Sequence, residues 1–219
     1  GSRIARCTLE LGGKSAAVIL EDYDMEAAAR MLAQTITMSA GQVCATLSRA
    51  IVPRRLHDEF VDALGAAMRA IRVGDPYDPE SQMGPLAMQR QRSRVQEYIE
   101  SGRSEGAQLV AGGRAPAHLQ RGYYVEPTLF ARVTCEMRIA REEIFGPVMS
   151  VLPYDTEEQA LRIANDSSFG LYGAVFTHDS KSAYRIARGI RAGTLSQNVF
   201  RFDSALPFGG FKQSGLGRE

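Results

Sequence analysis

Apolar and polar positions in this chain repeat with two periods in turn. Ala16-Ala17-Val18-Ile19-Leu20 is an unbroken apolar run, too short for a helix and suited to a buried strand. Asp24 then stands as an N-cap, and Met25, Ala28, Leu32 and Ile36 recur at helical spacing, which predicts an amphipathic helix over 25–39 closed by Gly41. Ala50-Ile51-Val52 reads as a second buried strand stopped by Pro53, and Phe60, Leu64, Met68 and Ile71 mark a helix over 55–71. Turn residues follow at Gly74-Asp75-Pro76 and Asp78-Pro79. A third helix fits 87–103, with Val95 and Ile99 on its apolar face.

Beyond it, Leu109-Val110 predicts a strand running into a Gly112-Gly113 turn, and 114–122 a surface loop. Strands are expected around 124–134, 147–153, 172–177 and 194–198, with helices over 156–165 and 179–191. Strands interleaved with helices predict the α/β class, a mostly parallel sheet flanked by helices on both faces. The last stretch, 207–219, is Gly-rich and aromatic with neither period, and reads as a shaped loop.

The chain of 219 residues, 44% hydrophobic, is long enough for a sizeable core. Lys+Arg 26 against Asp+Glu 25 gives a net charge of +1, so no electrostatic footprint for nucleic acid or an acidic membrane emerges. Arg54-Arg55 is only a local basic pair. The apolar runs are too short to span a bilayer. Three cysteines, Cys7, Cys44 and Cys135, make a poor disulfide framework and fit a reducing, cytoplasmic setting. No cysteine stands at metal-ligand spacing from another cysteine or from His57, His118 or His178, so no metal site is expected.

Two residues carry candidate chemistry. Cys44 lies in Gly41-Gln-Val-Cys-Ala-Thr, where Gly41 and Ala45 leave room for a group to approach the sulfur. A reactive thiolate needs partial exposure and a favourable field. Most free cysteines are small buried hydrophobes, and local sequence alone favours that role. Glu10 sits in Leu9-Glu-Leu-Gly-Gly-Lys-Ser15. Between two leucines its carboxyl risks burial and a raised pKa, as a general base near neutrality requires. Gly12-Gly13 permits a tight turn that would leave it facing a cleft. The alternative is a solvent-facing strand residue with Lys14 as an exposed neighbour.

Taken together, these motifs are specific. Leu9-Glu-Leu-Gly-Gly-Lys, then Gly-Gln-x-Cys with Cys44 34 positions after Glu10, then Gly84-Pro-Leu, Glu105-Gly-Ala with Gly112-Gly113, Glu142-Glu-Ile-Phe-Gly-Pro-Val148 and Pro207-Phe-Gly-Gly-Phe-Lys-Gln-Ser-Gly resemble the aldehyde dehydrogenase superfamily. The resemblance covers essentially the whole chain, in order. It implies that the nucleophilic cysteine falls on Cys44 and the catalytic glutamate on Glu10. It places the glutamate that holds the nicotinamide ribose on Glu143, with Phe145 against the nicotinamide. Gln91 and Arg94 align with positions that reach the cofactor ribose in some members, or else belong to a solvated helix face. Asn198, Phe200 and Phe208 match the wall of the substrate tunnel.

The implied reaction oxidises a small-molecule aldehyde to a carboxylic acid with NAD or NADP. It passes through a Cys44 thiohemiacetal and thioester, and Glu10 activates the hydrolytic water. The resemblance also implies that residues 1–219 are the catalytic domain alone. A cofactor-binding domain and a C-terminal oligomerisation segment of the same protein are expected outside it, since no GxGxxG follows a strand here. The expected whole is a homo-oligomer, and the isolated chain is expected not to turn over. Acyl transfer to coenzyme A, a Cys–His hydrolase, and a non-catalytic interaction fragment that keeps the fold are the competing readings. Phe200 and Phe202 suit an apolar or aromatic aldehyde, and Arg201 either meets a substrate carboxylate or pairs with Asp203.

Overall fold

The run around Val18 becomes the middle of a sheet because it is apolar on both faces, as a strand covered from both sides must be. A computed structural model describes residues 2–219. In chain order its elements are β1 (Leu9–Glu10), β2 (Ser15–Ile19), α1 (Met25–Thr37), β3 (Leu47–Pro53), α2 (His57–Arg69), α3 (Gln89–Ser104), β4 (Gln108–Ala111), β5 (Thr128–Ala131), α4 (Arg138–Arg141), β6 (Val148–Tyr154), α5 (Glu157–Asn165), β7 (Phe169–Gly170), β8 (Tyr172–Phe176), α6 (Ser180–Gly189), β9 (Thr194–Gln197), β10 (Phe211–Lys212) and β11 (Gly215–Leu216). Seven strands form the main sheet in the order β4-β5-β6-β3-β2-β8-β9. Every pairing in it is parallel except the edge pair β4–β5. The chain is thus α/β, with the mostly parallel sheet that the alternating pattern predicts.

The two faces make two cores. Ala17 and Ile19 of β2 and Ala50 and Val52 of β3 pack with Leu32 and Ile36 of α1 and Phe60 and Leu64 of α2. Ala16, Val18 and Ile51 face the other way, toward Val95, Tyr98 and Ile99 of α3, Ile163 of α5 and Ile186 of α6. Asp24 caps α1, accepting from the Ala27 N–H at 2.8 Å, as expected from its place before the periodic run.

Several boundaries moved. Helix α1 stops at Thr37 rather than 39, because Met38 turns extended and Ser39 and Ala40 take left-handed φ of 50° and 55°. The first turn of the second predicted helix is a tight three-residue coil, Arg54–Leu56. The stretch 207–219 is not purely loop: β10 pairs antiparallel with β7, and β11 with β1. These ribbons have two residues a side, too few for a readable period. No helix among the described residues is long and apolar enough to cross a membrane.

Candidate active site

Open parallel sheets usually bind ligands beyond the carboxyl ends of their strands. Here the candidate residues gather at the opposite end. Glu10 precedes β2, Cys44 precedes β3, and Glu143 precedes β6, each by a few residues. The last motif, from Pro207, folds back beside them through β10 and β11.

Gly12-Gly13 is where these segments meet. A Cβ on Gly12 would lie 2.3 Å from Glu143 Oε2, and one on Gly13 would lie 2.4 Å from the carbonyl oxygen of Cys44. The Gly13 N–H donates to Glu143 Oε1 at 3.0 Å. Neither glycine has a left-handed φ. The expected tight turn is therefore not their role: they are small so that two other segments can touch this one. Gly41 behaves similarly. A Cβ there would lie 2.2 Å from the Gly146 backbone, and its φ is +73°. It seats the Phe145-Gly146-Pro147 segment rather than clearing space around the sulfur.

Cys44 is half-buried at the end of a left-handed run, Ser39 to Gly41. Two successive non-glycine residues in that region store strain, held here by the Gly41 packing. Burial, and then the Glu10 carboxylate beside the sulfur, push the Cys44 thiol up to about 11. The N–H groups of Ala45 and of Cys44 itself face the sulfur and pull the other way. Thiolate at neutrality is then roughly one molecule in ten thousand. Cys44 thus rests as a thiol.

Glu10 is exposed, and its neighbours Leu9 and Leu11 are 46% and 49% exposed, so the burial expected of it is not found in this chain. The physical reason is that β1 pairs only with the short β11, outside the main sheet. The carboxylate nonetheless lies near enough to the Cys44 sulfur to help raise its thiol. Its strand is fastened by Ser214, whose hydroxyl donates to Gly12 O at 2.6 Å and accepts from Gly170 N–H at 2.9 Å, and whose carbonyl accepts from Leu11 N–H. Nothing in the sequence singled out Ser214; its only signal is a place beside glycines in the last motif.

Glu143 is half-buried, and that burial raises its carboxyl above the usual range, against the Gly13 N–H, Arg94 and Lys14, while Glu10 adds to the rise. Phe145 is exposed with φ 59°. Gln91, half-buried, and Arg94, exposed, both reach the segment that carries Glu143. Gln91 Nε2 donates to Ile144 O and Phe145 O, and Arg94 to Glu143 O at 2.7 Å, so both hold the 143–145 backbone in place.

The tunnel candidates separate. Phe202 and Phe208 line a cavity of about 800 Å³ with Leu206, Val199 and Arg201. Phe200 packs under it, its ring 5.1 Å from Tyr172 and 5.2 Å from Phe202. Asn198 stands apart. Its amide accepts from Thr177 N–H and donates to Thr177 O, both at 2.9 Å, at the carboxyl end of β8, and it does not line the cavity. Its left-handed φ of 57° explains the choice of Asn at this reversal. Arg201 reaches Asp203 at 3.4 Å.

No histidine serves the sulfur. His57 contacts Asp58 and the Arg132 N–H, His118 meets Val73 O, and His178 stacks on Tyr23. A Cys–His pair is thereby removed. Cys7 is exposed, and Cys135 is half-buried beside Asp166 and Glu136, with burial foremost in raising its thiol.

With Cys7 and Cys135 replaced by serine, alkylation of Cys44 by iodoacetamide is expected to accelerate with pH toward a midpoint near 11. Glu10→Gln removes the second cause of the raised value and leaves burial. The profile should therefore move to lower pH while staying above that of an ordinary thiol. An unmoved or upward-shifted profile contradicts the placement of Glu10 beside the sulfur.

Comparison with known proteins places this geometry. The model of the aldehyde dehydrogenase family matches residues 1–219. Betaine aldehyde dehydrogenase of Mesorhizobium japonicum is 46% identical over 222 residues, covering 100% of this chain and 46% of the relative. Geranial dehydrogenase of Castellaniella defragrans is 47% identical over 212 residues, covering 97% and 44%. Among solved structures, Mycobacterium tuberculosis aldehyde dehydrogenase complexed with NAD+ superposes with a TM-score of 0.97 at 50% identity, over 99% of this chain and 45% of that one. A mutant aldehyde dehydrogenase C from Pseudomonas syringae with NAD+ and octanal gives 0.96 at 41% identity, over 99% and 45%. The chain thus spans about half the length of the relatives it matches. With the family model matched from end to end and the fold shared almost entirely, this chain belongs to the aldehyde dehydrogenase family.

Proposed function

We propose that these residues form the thiol half of an enzyme that oxidises an aldehyde to a carboxylic acid with NAD or NADP. The observation that carries the reading is the convergence of the Glu10, Cys44 and Glu143 segments on Gly12-Gly13 at one end of the sheet. Cys44 Sγ adds to the carbonyl carbon while its proton passes to Glu10, giving a tetrahedral thiohemiacetal. The Cys44 N–H donates to the developing oxyanion. A nicotinamide cofactor held at its ribose by Glu143, with Phe145 beside the ring, would supply the hydride acceptor that this oxidation needs. The carbonyl re-forms as a Cys44 thioester. Glu10, having released the thiol proton to solvent, takes a proton from water, whose oxygen adds to the thioester carbon; the C–S bond breaks as the acid forms, and Cys44 leaves as a thiolate that Glu10 reprotonates.

The donor set suits the ribose end of such a cofactor. Glu143 offers acceptor oxygens half-open to solvent, and Phe145 an exposed ring beside them. A phosphate-binding glycine fingerprint is not among the motifs of this sequence. Residues 1–219 therefore act as the catalytic domain, and a cofactor-binding domain and oligomerisation segment from elsewhere in a longer, homo-oligomeric, cytoplasmic protein complete the site. The exposed Leu9, Leu11 and Leu216 around Glu10 suit burial by such a partner. The Phe202–Phe208 cavity suits an apolar or aromatic aldehyde.

The test is a panel of aldehydes offered to the longer protein with NAD or NADP, with and without coenzyme A. Reduced cofactor and free acid are expected in equal amounts without coenzyme A, and none from the 219-residue chain alone. Strict dependence on coenzyme A, or robust turnover by the isolated chain, overturns the reading.

A further inference from the structure

The wall of the Phe202–Phe208 cavity is a loop with few ties to the rest of the protein. Residues 199–208 follow β9 and are mostly exposed. Most of their hydrogen bonds are local: Ser196 Oγ donates to Val199 O, the Ala205 N–H to Asp203 Oδ1 and the Leu206 N–H to Asp203 O. Among the described residues, only the Tyr172 hydroxyl bonds residues 200–207 to the main sheet. It donates to Arg201 O at 3.0 Å and accepts from the Arg201 N–H at 3.1 Å. Tyr172 opens β8 and is 2% exposed, so the core fixes its ring while its hydroxyl holds the loop.

We infer that Tyr172 is a positioning residue for the aldehyde: its hydroxyl clamps the loop at Arg201 and so holds Phe202 where it selects an aryl aldehyde over a linear one. Arg201 stands between Phe200 and Phe202, so fixing its backbone orients both rings. The Tyr172 ring lies 5.1 Å from Phe200 and 5.7 Å from Phe202. Phe202 in turn lies 5.2 Å from Phe200 and 5.4 Å from Phe208, both edge to face. Phe202 is still 49% exposed and lines the cavity. A further aromatic ring extends this array with the same edge-to-face geometry, whereas an alkyl chain gains contact area alone.

The inference rests on the reading of this cavity as the aldehyde site, and the position of Tyr172 suits that reading. Gly173 pairs with Ala16, and Ser15 with Leu47, so Tyr172 stands two strands from the start of β3, at the end of the sheet where Cys44 lies. That is roughly 10 Å across the sheet. A Cβ on Gly13 would meet Leu171 Cβ at 3.3 Å as well as the Cys44 carbonyl, so the start of β8 and the Cys44 segment meet at one glycine. Cys44, Phe200 and Phe208 all border the core that contains Tyr172. Without the hydroxyl the loop loses both bonds at once. Its aryl-binding arrangement is then populated only part of the time, and affinity falls by that fraction. Arg201 is exposed, so water takes over its backbone groups and stability changes little.

The experiment compares the longer enzyme with its Tyr172→Phe variant, which keeps the ring and removes only the oxygen. KM and kcat are measured for benzaldehyde and heptanal, which have equal carbon number. The parent is expected to favour benzaldehyde in kcat/KM by severalfold. In Tyr172→Phe the KM for benzaldehyde should rise by about fivefold or more, with kcat and cofactor affinity unchanged and the KM for heptanal moved less. Amide hydrogen exchange over 200–207 should quicken while that of β8 and β9 does not. A parent indifferent between the two aldehydes, an unmoved benzaldehyde KM, or equal losses for both aldehydes overturns the inference. Faster exchange throughout the core marks a general loss of structure and overturns it too. Phe202→Ala separates the inference from the reading beneath it. If Phe202→Ala raises the benzaldehyde KM and Tyr172→Phe does not, the role of Tyr172 fails and the cavity remains the aldehyde site. If Tyr172→Phe quickens exchange in the loop yet neither variant moves either KM, the clamp stands and the reading of the cavity as the aldehyde site fails.

Discussion

Cys44→Ala in the longer enzyme is expected to lower aldehyde oxidation on the order of 10⁴-fold or more, because no other group can carry the acyl intermediate. Cys7 is exposed and outside the constellation, and Cys135 lies beside Asp166, so neither is placed to substitute. The fold should be indifferent, since a half-buried side chain loses only its sulfur. The informative pattern is a collapse of kcat with an unchanged melting temperature and unchanged cofactor affinity. Residual oxidation within tenfold of the parent would mean that the sulfur is not the nucleophile.

The second large effect is expected at Gly12-Gly13, and the two glycines should fail differently. In Gly13→Ala the new methyl meets backbone, the Cys44 carbonyl oxygen at 2.4 Å, with Leu171 Cβ at 3.3 Å. Neither can swing aside, so the Cys44 segment must shift, at a cost of about 1–3 kcal/mol. Misplacing the nucleophile by an ångström costs about 100-fold in rate. In Gly12→Ala the obstacle is the Glu143 carboxylate, the end of a flexible side chain. It should rotate away with little loss of stability, weakening cofactor binding while alkylation of Cys44 keeps the parent's pH profile. Gly84→Ala is the control: its Cβ finds only Pro76 at 3.4 Å, and φ is not left-handed. It should be neutral or stabilising by a few tenths of a kcal/mol. Denaturant unfolding with parallel activity and binding measurements separates the three variants.

The reach of the sequence follows from which features are local. Runs such as 16–20 and helical spacings such as Met25, Ala28, Leu32 and Ile36 depend on neighbours in the chain, and β2 and α1 formed where those patterns predict. Two-residue ribbons such as β1–β11 have no period to read and exist only because distant segments meet. The same limit governs the site. Glu10, Cys44 and Glu143 could be nominated from motif and spacing, and the fold brings them to one end of the sheet. The function of Gly12-Gly13 could not be read, because close approach is a tertiary property that resembles turn chemistry in one dimension. Lys14 and Glu10 exchange the environments expected of them, the lysine buried and the glutamate exposed. Hydropathy cannot foresee a lysine tucked under a loop 130 residues downstream of its neighbour Gly13. Asn198 matches the tunnel wall by motif, while its amide bonds the Thr177 backbone beyond β8; a motif match carries a position, not the direction of its side chain.

The central claim is that Cys44 carries the acyl group and Glu10 helps water remove it. The most direct measurement is peptide mass analysis of the longer enzyme's Glu10→Gln variant, quenched in acid after exposure to an aldehyde and oxidised cofactor. With hydrolysis slowed, the acyl mass should accumulate on the peptide containing Cys44, close to one per chain. Reduced cofactor accumulating with no acyl mass on Cys44, or the label residing on Cys7 or Cys135, would contradict the account.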